Sequence, residues 1–290
     1  MQRIKVWISG KFVDMDKAAV SVSDRGYLYG DGVFETMRSY AGIVFKLDEH
    51  VDRLYGALKV VGIVPFYTKS YLKYAINKSL KINGLKSAYM RLSMTRGGDC
   101  FGLDVKGALK PNTVIATKIL DEYPERAYSR GINVKLIKLT RQDEYSPLSG
   151  IKSLNFLNHI IARLDAKRGN YGEGILMNTD GYIAEGTTSN IFLVKNGRLM
   201  TPSLDSGILP GITRSVIIDI AKRLKIGVRE KRVTRAELRS ADEAFLTNSI
   251  GEVLPVTRVD SKNVSDGMPG DITKLLHISY QKEVIREVMR

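Results

Sequence analysis

Two segments carry side chains whose types and surroundings suit covalent or acid chemistry. Lys152 lies between a turn at Gly150 and the apolar start of a helix, where removal from water lowers the pKa of an amine. A lysine kept neutral in this way can form a Schiff base with a carbonyl compound, although most lysines are simply solvated. Glu185 follows 33 positions later, at the end of a short strand and just before Thr187 and Thr188. Taken alone, Glu185 is explained as well by a loop charge or a cap.

The segment from Leu209 to Arg214 is suited to bind an anion. Pro210 and Gly211 lead directly into a helix, so the backbone N–H groups of Ile212 and Thr213 are first-turn donors at the positive end of the helix dipole. A phosphate group fits such a position. When the segment is taken alone, a proline-led helix start without any ligand is the commoner explanation.

The sequence does not support a metal site, a serine-hydrolase nucleophile or a nucleotide-binding phosphate loop. Its three histidines, His50, His159 and His277, lie far apart without the spacing of metal ligands, and its single cysteine, Cys100, cannot build a thiolate site. We therefore expect no metal, and we expect His50 on a helix surface or at a subunit contact. Neither a Gly-x-Ser-x-Gly elbow nor a Gly-x-x-x-x-Gly-Lys-Ser/Thr phosphate loop occurs.

The first 119 residues contain strand and helix patterns that could hold such groups in place. From Ala88 to Thr95 polar and apolar residues alternate, so Tyr89 and Arg91 point to one polar, aromatic face of a strand. A helix is predicted from an N-cap at Asp48 to Gly62. Further predictions are a helix over about 68–82 and strands near 4–8 and 113–119.

The rest of the chain mixes hairpins with separate helices. The pairs Asp180-Gly181 and Asn196-Gly197 predict type I′ hairpin turns. Helices are predicted on apolar spacing at Leu157, Ile160, Ile161 and Leu164 up to Gly169, after Pro210, and from Ile272 onward. This order favours an α+β fold over a doubly wound parallel sheet. A polar stretch interrupts all periodicity, so we predict domains at 1–119 and 128–290 and a linker at 120–127.

Composition excludes several classes of protein. The 290 residues are 43% hydrophobic and 26% charged with one cysteine, which excludes a disordered, collagen-like or disulfide-stapled chain. No apolar run reaches the roughly 18 residues of a membrane helix, and the first residues lack the core of a signal peptide, so we expect a cytoplasmic protein without membrane contact. The net charge of +14 permits a nucleic-acid partner. The densest basic stretch, 222–235, has no interleaved aromatic residue, which favours a solvated surface.

Five short segments occur in an order that resembles the class IV, fold type IV pyridoxal-phosphate aminotransferases. They are 29–36, 50–54, 151–155, 184–190 and 209–214, and together they span nearly the whole chain. Each is weak alone, but their order and separations make a chance match improbable. The resemblance implies a small N-terminal domain, a larger domain that binds pyridoxal 5′-phosphate, and a homodimer.

The resemblance also implies roles for individual residues. Lys152 corresponds to the lysine that holds the cofactor covalently and, once substrate displaces it, carries a proton between the substrate and the cofactor. Glu185 corresponds to the partner of the pyridine nitrogen. Phe156 stands where branched-chain members carry a tyrosine bonded to the phenolic oxygen, so the hydroxyl for that bond is missing here. The remaining cofactor contacts fall on Arg53 and Ser249 and on Ile212 and Thr213 for the phosphate, and on Leu209 for one face of the ring.

Three subtypes of the family remain open. Tyr89 and Arg91 resemble the carboxylate side of a branched-chain pocket, and the Arg-x-His carboxylate trap of D-specific enzymes is missing. Thr36 instead resembles 4-amino-4-deoxychorismate lyases, which eliminate pyruvate. We predict transfer of amino groups from branched-chain or other hydrophobic L-amino acids to 2-oxoglutarate, with the lyase and a D-amino-acid aminotransferase as alternatives. The expected substrate-binding residues are Tyr29, Phe34, Thr36, Arg38, Tyr89, Arg91, Ser249 and Ile250.

Overall fold

A computed structural model of the chain describes residues 4–98, 101–105 and 110–289, which form two compact units. Unit 1 takes the residues up to Asp121, the segment Ile151–Asn155 and the end of the chain from Glu287; unit 2 takes Glu122–Gly150 and Phe156–Arg286. Cys100 lies outside the described residues. No helix within those ranges is both long and apolar enough to cross a membrane.

Unit 1 is a six-stranded antiparallel sheet with two long helices packed on it. The strand order is β2-β1-β6-β5-β3-β4. Its core contains Trp7, Leu54, Leu72, Ile76 and Met90, all essentially inaccessible to water. The elements are β1 (Lys5–Ile8), β2 (Lys11–Asp14), α1 (Arg25–Tyr29), β3 (Gly32–Tyr40), β4 (Ile43–Val44), α2 (Leu47–Val60), α3 (Lys69–Asn83), β5 (Ala88–Thr95) and β6 (Asn112–Ile119).

Unit 2 is built on a mixed sheet of nine strands. Eight of them follow the order β12-β11-β10-β13-β14-β7-β8-β9, and β15 pairs with β14. The pairs β11 with β12, β14 with β7 and β7 with β8 are parallel. The elements are α4 (Glu125–Ser129), β7 (Ile132–Gln142), α5 (Leu157–Arg168), β8 (Glu173–Asn178), β9 (Ile183–Gly186), β10 (Asn190–Lys195), β11 (Arg198–Pro202), α6 (Ile212–Arg223), β12 (Val228–Lys231), α7 (Arg235–Arg239), β13 (Glu243–Asn248), β14 (Glu252–Val259), β15 (Lys262–Asn263) and α8 (Asp271–Val288).

The predicted α+β class is confirmed, and the structure divides the chain in more detail than the sequence does. A short helix, α4, begins inside the stretch predicted as a linker. The segment Ile151–Asn155, which falls within the predicted second domain, belongs to unit 1 because Ser153 forms a bridge with Val33 of β3. Two hydrogen bonds flank that bridge, from Phe34 N to Lys152 O and from Leu154 N to Gly32 O, each 2.9 Å long.

Two local predictions need correction. Helix α2 begins after Lys46 and not at Asp48, because the backbone N–H of Lys46 is held by Glu287 at 2.8 Å, a contact from the far end of the sequence. Of the two pairs predicted as type I′ turns, Asn196-Gly197 has the required positive φ at both residues. In the other predicted pair, Asp180-Gly181, Gly181 alone has positive φ. The helix predicted up to Gly169 is confirmed as α5; its buried residues are Ala162 and Ala166, whereas Leu157, Ile160 and Leu164 are 49–67% exposed.

Candidate active site

Lys152 is fixed against strand β3 of unit 1 by its own backbone. The bonds on either side of Ser153 leave the Lys152 side chain over the aromatic ring of Phe34, with Nζ 4.5 Å from the ring centroid. The guanidinium of Arg91 lies over the same ring at 3.8 Å. Both distances are within the range of a cation–π contact. Phe34 therefore brings the predicted Schiff-base lysine and a predicted substrate-binding arginine to one place.

Arg53 belongs to a buried cluster of three charged or titratable side chains in unit 1. Its Nε and Nη2 donate to the two carboxylate oxygens of Glu35 at 2.7 and 2.8 Å. Glu35 Oε2 also lies 2.7 Å from Nδ1 of His50. Glu35 and His50 are almost fully buried, so the expectation that His50 lies on a helix surface is wrong. His50 and Arg53 stand three positions apart on α2, which places both on the face that packs on β3.

The charges of this cluster shift the pKa values of its members. Burial by itself would raise the pKa of the Glu35 carboxyl, but the positive charge of Arg53 and the hydrogen bonds from His50 and Arg53 lower that pKa to about 2. Burial lowers the pKa of His50, and the positive charges of Arg53 and Lys152 act in the same direction against the attraction of Glu35. The imidazole is therefore neutral near pH 7 and donates from Nδ1. Because the charge of Lys152 reaches His50, the lysine and the cluster belong to one electrostatic region.

The predicted substrate-binding residues of β3 and β5 lie on one face of the sheet. Thr36 is directly opposite Arg91 and Arg38 is directly opposite Tyr89 in the antiparallel pairing. Residues of β5 alternate between buried and half-buried, with Tyr89 and Arg91 on the half-buried side, as their alternation predicts. Tyr29 stands at the end of α1, where its hydroxyl accepts a hydrogen bond from the backbone N–H of Gly102 at 2.9 Å.

In unit 2, Glu185 is a buried carboxylate at the end of β9. Its Oε2 accepts hydrogen bonds from Asn190 Nδ2 at 3.1 Å and from the backbone N–H of Leu209 at 3.0 Å. Its Oε1 lies 3.9 Å from Nε2 of His159, too far for a hydrogen bond. The ring of Phe156 stacks on His159, with centroids 4.3 Å apart. An aromatic residue without a hydroxyl at position 156 therefore packs on the histidine that faces Glu185.

The N-terminus of α6 has the properties of an anion site. Helix α6 begins at Ile212 with Gly211 as its N-cap, and no side chain caps its first amides. A Cβ atom on Gly211 would lie 1.9 Å from Oδ1 of Asn190, so only glycine fits this position without displacing Asn190. The first-turn residue Thr213 is buried. The local structure thus keeps side chains away from the end of the helix dipole.

Ser249 and Ile250 occupy the turn between β13 and β14. Oδ1 of Asn248 accepts hydrogen bonds from the backbone N–H groups of Ile250 at 2.9 Å and Gly251 at 2.6 Å, which fixes the backbone around Ser249. This is an Asx turn, in which a side chain replaces a backbone acceptor. Their predicted roles toward phosphate and substrate stay predictions.

Sequence reasoning missed four residues that position the predicted site: Glu35, His50, Asn190 and Asn248. Glu35 had a detectable feature, since a carboxylate stands in β3 between the apolar residues Val33 and Met37 that share its face. His50 precedes Arg53 by one helical turn, which is compatible with a shared partner. Asn248 acts on the next turn of the chain, where an asparagine is a usual turn residue, so its signal was local. Asn190 acts partly on Leu209, 19 positions away, and that contact is not revealed by local sequence.

Comparison with known proteins gives a consistent set of likenesses. A family model described as class IV amino-transferase matches residues 32–259. The chain is 41% identical over 280 residues to a protein of Methanocaldococcus jannaschii named "Putative branched-chain-amino-acid aminotransferase", covering 96% of both chains. It is 36% identical over 285 residues to the D-alanine aminotransferase of Listeria innocua, covering 98% of this chain and 97% of the relative.

A solved structure supports the same relationship. The structure of the branched-chain amino acid aminotransferase of Thermobaculum terrenum, in its pyridoxal-phosphate holo-form, has a TM-score of 0.87 and 27% sequence identity to this chain. The match covers 97% of this chain and 94% of the solved one. The likeness is therefore to whole proteins and not to a single shared domain.

Proposed function

Because the chain belongs to the class IV aminotransferase family, we propose that it transfers the amino group of branched-chain and other hydrophobic L-amino acids to 2-oxoglutarate. It is a pyridoxal-phosphate-dependent transaminase. The observation that carries the choice of substrate is the placement of Tyr89 and Arg91 on the polar face of β5, opposite Arg38 and Thr36 of β3. An arginine on that face is suited to bind the carboxylate of an amino acid.

The residues present fit pyridoxal 5′-phosphate. This cofactor carries an aldehyde, a phosphate and a pyridine nitrogen, and when bound it supplies an electron sink for the carbanion formed at the substrate Cα. Unit 1 offers an amine and a guanidinium, in Lys152 and Arg53; unit 2 offers a buried carboxylate, in Glu185, and a helix N-terminus that no side chain caps. An amine, an acid and cationic or N–H donors are the groups that those three functions require.

Each of these residues has a stated task in the proposed reaction. Lys152 has two: it holds the cofactor covalently between turnovers, and its released amine takes the proton from the substrate Cα and returns it at cofactor C4′. Glu185 keeps the pyridine nitrogen protonated, and Asn190 and the Leu209 N–H hold its carboxylate in place. Arg53 binds the phosphate. Further phosphate contacts come from Ser249 and the backbone of Ile212 and Thr213, and Leu209 covers one face of the ring.

The substrate pocket is proposed along the polar face of unit 1. Arg91, Arg38 and Lys118 are cations of that face, and both the guanidinium of Arg91 and the amine of Lys152 lie over the ring of Phe34. Aromatic and apolar walls suit a hydrocarbon side chain. The proposed pocket residues are Tyr29, Phe34, Thr36, Arg38, Tyr89, Arg91, Ser249 and Ile250.

A D-amino-acid aminotransferase is the second candidate, favoured by the likeness to the D-alanine aminotransferase of Listeria innocua. The deciding experiment is a substrate panel on the purified, cofactor-loaded enzyme. L-leucine, L-isoleucine, L-valine and D-alanine are each given with 2-oxoglutarate, and glutamate formation is measured. We expect kcat/KM for the L-branched-chain donors to exceed that for D-alanine by about tenfold or more. A preference for D-alanine would replace the first candidate with the second.

The same panel includes 4-amino-4-deoxychorismate without a keto acid, because Thr36 resembles the lyases of this family. Release of pyruvate from that compound, with little glutamate from leucine, would identify a lyase.

We also propose a homodimer that works in the cytoplasm; a single cysteine in 290 residues suits a reducing compartment. Light scattering should give a mass of about twice the 32.4 kDa of one chain, and a fully active monomer would contradict the dimer.

A further inference from the structure

Glu35 is an acid at a place that normally excludes acids. It shares the inward face of β3 with Val33 and Met37, both fully buried, and only 1% of its own side chain is exposed. A carboxylate in such surroundings costs several kcal/mol of desolvation unless strong partners compensate. Its partners are Arg53 and His50, and only one of them, Arg53, has a task in the proposed function.

The geometry of the Glu35–Arg53 pair fixes the plane of the guanidinium. Two parallel hydrogen bonds, from Nε and Nη2, hold that plane to the plane of the carboxylate, which a single bond would leave free to rotate. His50 in turn holds Oε2 of the carboxylate at 2.7 Å. The two bonds occupy one edge of the guanidinium, and Nη1 lies outside that edge.

The side chain of Arg53 is more exposed to solvent than the two other side chains of the cluster. The side chains of Glu35 and His50 are 1% and 3% exposed, whereas that of Arg53 is 15% exposed. The guanidinium is thus the outermost member of the cluster, and the carboxylate and imidazole lie behind it. Lys152, whose charge also acts on His50, belongs to unit 1 as well.

We infer that Glu35 and His50 are positioning residues, which orient the Arg53 guanidinium so that its outer edge receives the phosphate of the cofactor. The inference rests on the proposed function, because the phosphate is that of pyridoxal 5′-phosphate. Glu35 also neutralises the charge of Arg53, so that the buried cluster has no net charge of its own before phosphate binds. Orientation, and not the mere presence of a positive charge, then determines affinity for the phosphate.

The test compares two ligands that differ only in the phosphate. Dissociation constants of the apoenzyme for pyridoxal 5′-phosphate and for pyridoxal are measured by equilibrium titration. The constant for pyridoxal divided by the constant for pyridoxal 5′-phosphate is the ratio that reports the phosphate contribution alone. We expect Glu35→Gln to reduce that ratio by about tenfold or more, because a glutamine amide offers a donor to Arg53 where an acceptor is needed. Asp52→Asn, which removes an exposed carboxylate from the position next to Arg53, is the matched control and should leave the ratio unchanged.

A double-mutant cycle separates positioning from a purely structural role. In an Arg53→Ala background, Glu35→Gln should change the ratio no further, since there is no guanidinium left to orient. Glu35→Asp keeps the buried charge but withdraws the carboxylate by one methylene, so it should also lower the ratio. This variant takes the place of Glu35→Gln if Glu35→Gln fails to fold. A ratio that stays constant in folded variants, or that rises when the negative charge is removed, would overturn the inference.

Failure of the inference and failure of the proposed function give different results. Borohydride reduction of the wild-type enzyme with pyridoxal 5′-phosphate should attach the cofactor to Lys152, detected by peptide mass. If no such adduct forms, the proposed function is wrong. If the adduct forms and the phosphate contribution is the same in the wild type and the Glu35 variants, only the positioning role is wrong.

Discussion

Leu209 donates its backbone N–H to the carboxylate of Glu185 across 3.0 Å, although the two residues stand 24 positions apart in the chain. Asn190 donates both to the same carboxylate oxygen and to the carbonyl oxygen of Leu209, at 3.1 and 2.9 Å. The three residues therefore form a closed group in which both hydrogen bonds to the acid end on Oε2. This arrangement fixes the orientation of the carboxylate that we propose as the partner of the pyridine nitrogen.

Replacing Glu185 with glutamine should separate cofactor binding from catalysis. Glu185→Gln keeps the shape of the side chain but removes the charge that holds the proton on the pyridine nitrogen, so the electron sink becomes weaker. We expect kcat to fall by about 10²–10⁴-fold while the cofactor remains attached to Lys152. Glu283→Gln on α8, a carboxylate that pairs with Arg223 at the surface, is the matched control. Unchanged turnover in Glu185→Gln would contradict the assigned role.

Gly211→Ala should damage the anion site through Asn190. The new methyl group would lie 1.9 Å from Oδ1 of Asn190, which cannot move without losing its bonds to Glu185 and Leu209. We expect the free energy of unfolding to fall by about 1–3 kcal/mol and the affinity for pyridoxal 5′-phosphate to fall with it. Both quantities are accessible from urea unfolding and cofactor titration.

A second glycine provides the control for that substitution. Gly56 lies in the middle of α2, and apart from the backbone of its own helix no atom lies within 4 Å of the place that a methyl group would take. Gly56→Ala therefore reduces the entropy of the unfolded chain without a clash. It should stabilise the protein by about 0.5–1 kcal/mol. Equal effects of the two substitutions would show that packing at Gly211 is less constrained than the structure indicates.

Several parts of the site were predictable because the pattern that positions them lies within one short segment of the sequence. The alternation of β5 places Tyr89 and Arg91 on one side, and Pro210 with Gly211 marks the start of α6; both predictions are confirmed in the structure. The position of Lys152 is different. Its attachment to β3 depends on the bridge between Ser153 and Val33, which are 120 positions apart, and no periodicity within either segment carries that information.

Fold prediction failed where a distant partner overrides a local preference. Asp48 is a good N-cap residue, but the carboxylate of Glu287 holds the backbone at Lys46, and Asp48 pairs instead with Lys73 of α3. The helix predicted at α5 is present, and its buried residues are the small Ala162 and Ala166 and not most of the large apolar residues that marked it. Small residues allow a helix to approach a sheet closely, which a count of hydrophobic side chains does not anticipate.

Unit 1 should lose stability in acid through Glu35. The Glu35 pKa is about 2 in the folded chain against an ordinary value of 4.5, so its contribution to stability is complete above pH 4.5 and is lost as the pH falls toward 2. The contribution at pH 7 is on the order of 3 kcal/mol. Trp7 is the single tryptophan and is buried in the core of unit 1, so its fluorescence follows the unfolding of this unit in the apoenzyme.

The measurement is the difference in unfolding free energy between the wild type and Glu35→Gln. That difference should be largest near neutral pH and should shrink steadily as the pH falls from 4.5 toward 2, because protonation makes the wild-type side chain resemble the amide. Ionisation of the other carboxyl groups affects both proteins and cancels. A difference that does not vary with pH would mean that folding leaves the pKa of Glu35 at its ordinary value.

Thr36→Gly should distinguish the two reaction types that this family performs. Thr36 lies opposite Arg91, and the resemblance to lyases links a threonine here to pyruvate elimination. We expect leucine transamination to change by less than about threefold, with a cost of about 1 kcal/mol in stability from a glycine in a strand. Any pyruvate release from 4-amino-4-deoxychorismate should disappear. Parallel loss of both activities would show that Thr36 supports the strand and does not select the reaction.

The bridge between Ser153 and Val33 has a consequence for how the protein is made. A ribosome that has reached residue 121 has synthesised every strand of the unit 1 sheet, but the segment with Lys152 is complete only 34 residues later, roughly 2–7 seconds at ordinary rates of translation. Until then the backbone groups of Gly32 and Phe34 lack the partners they have in the finished protein. A gene fragment cut after residue 121 would therefore encode a sheet with an unpaired edge and no lysine for the cofactor.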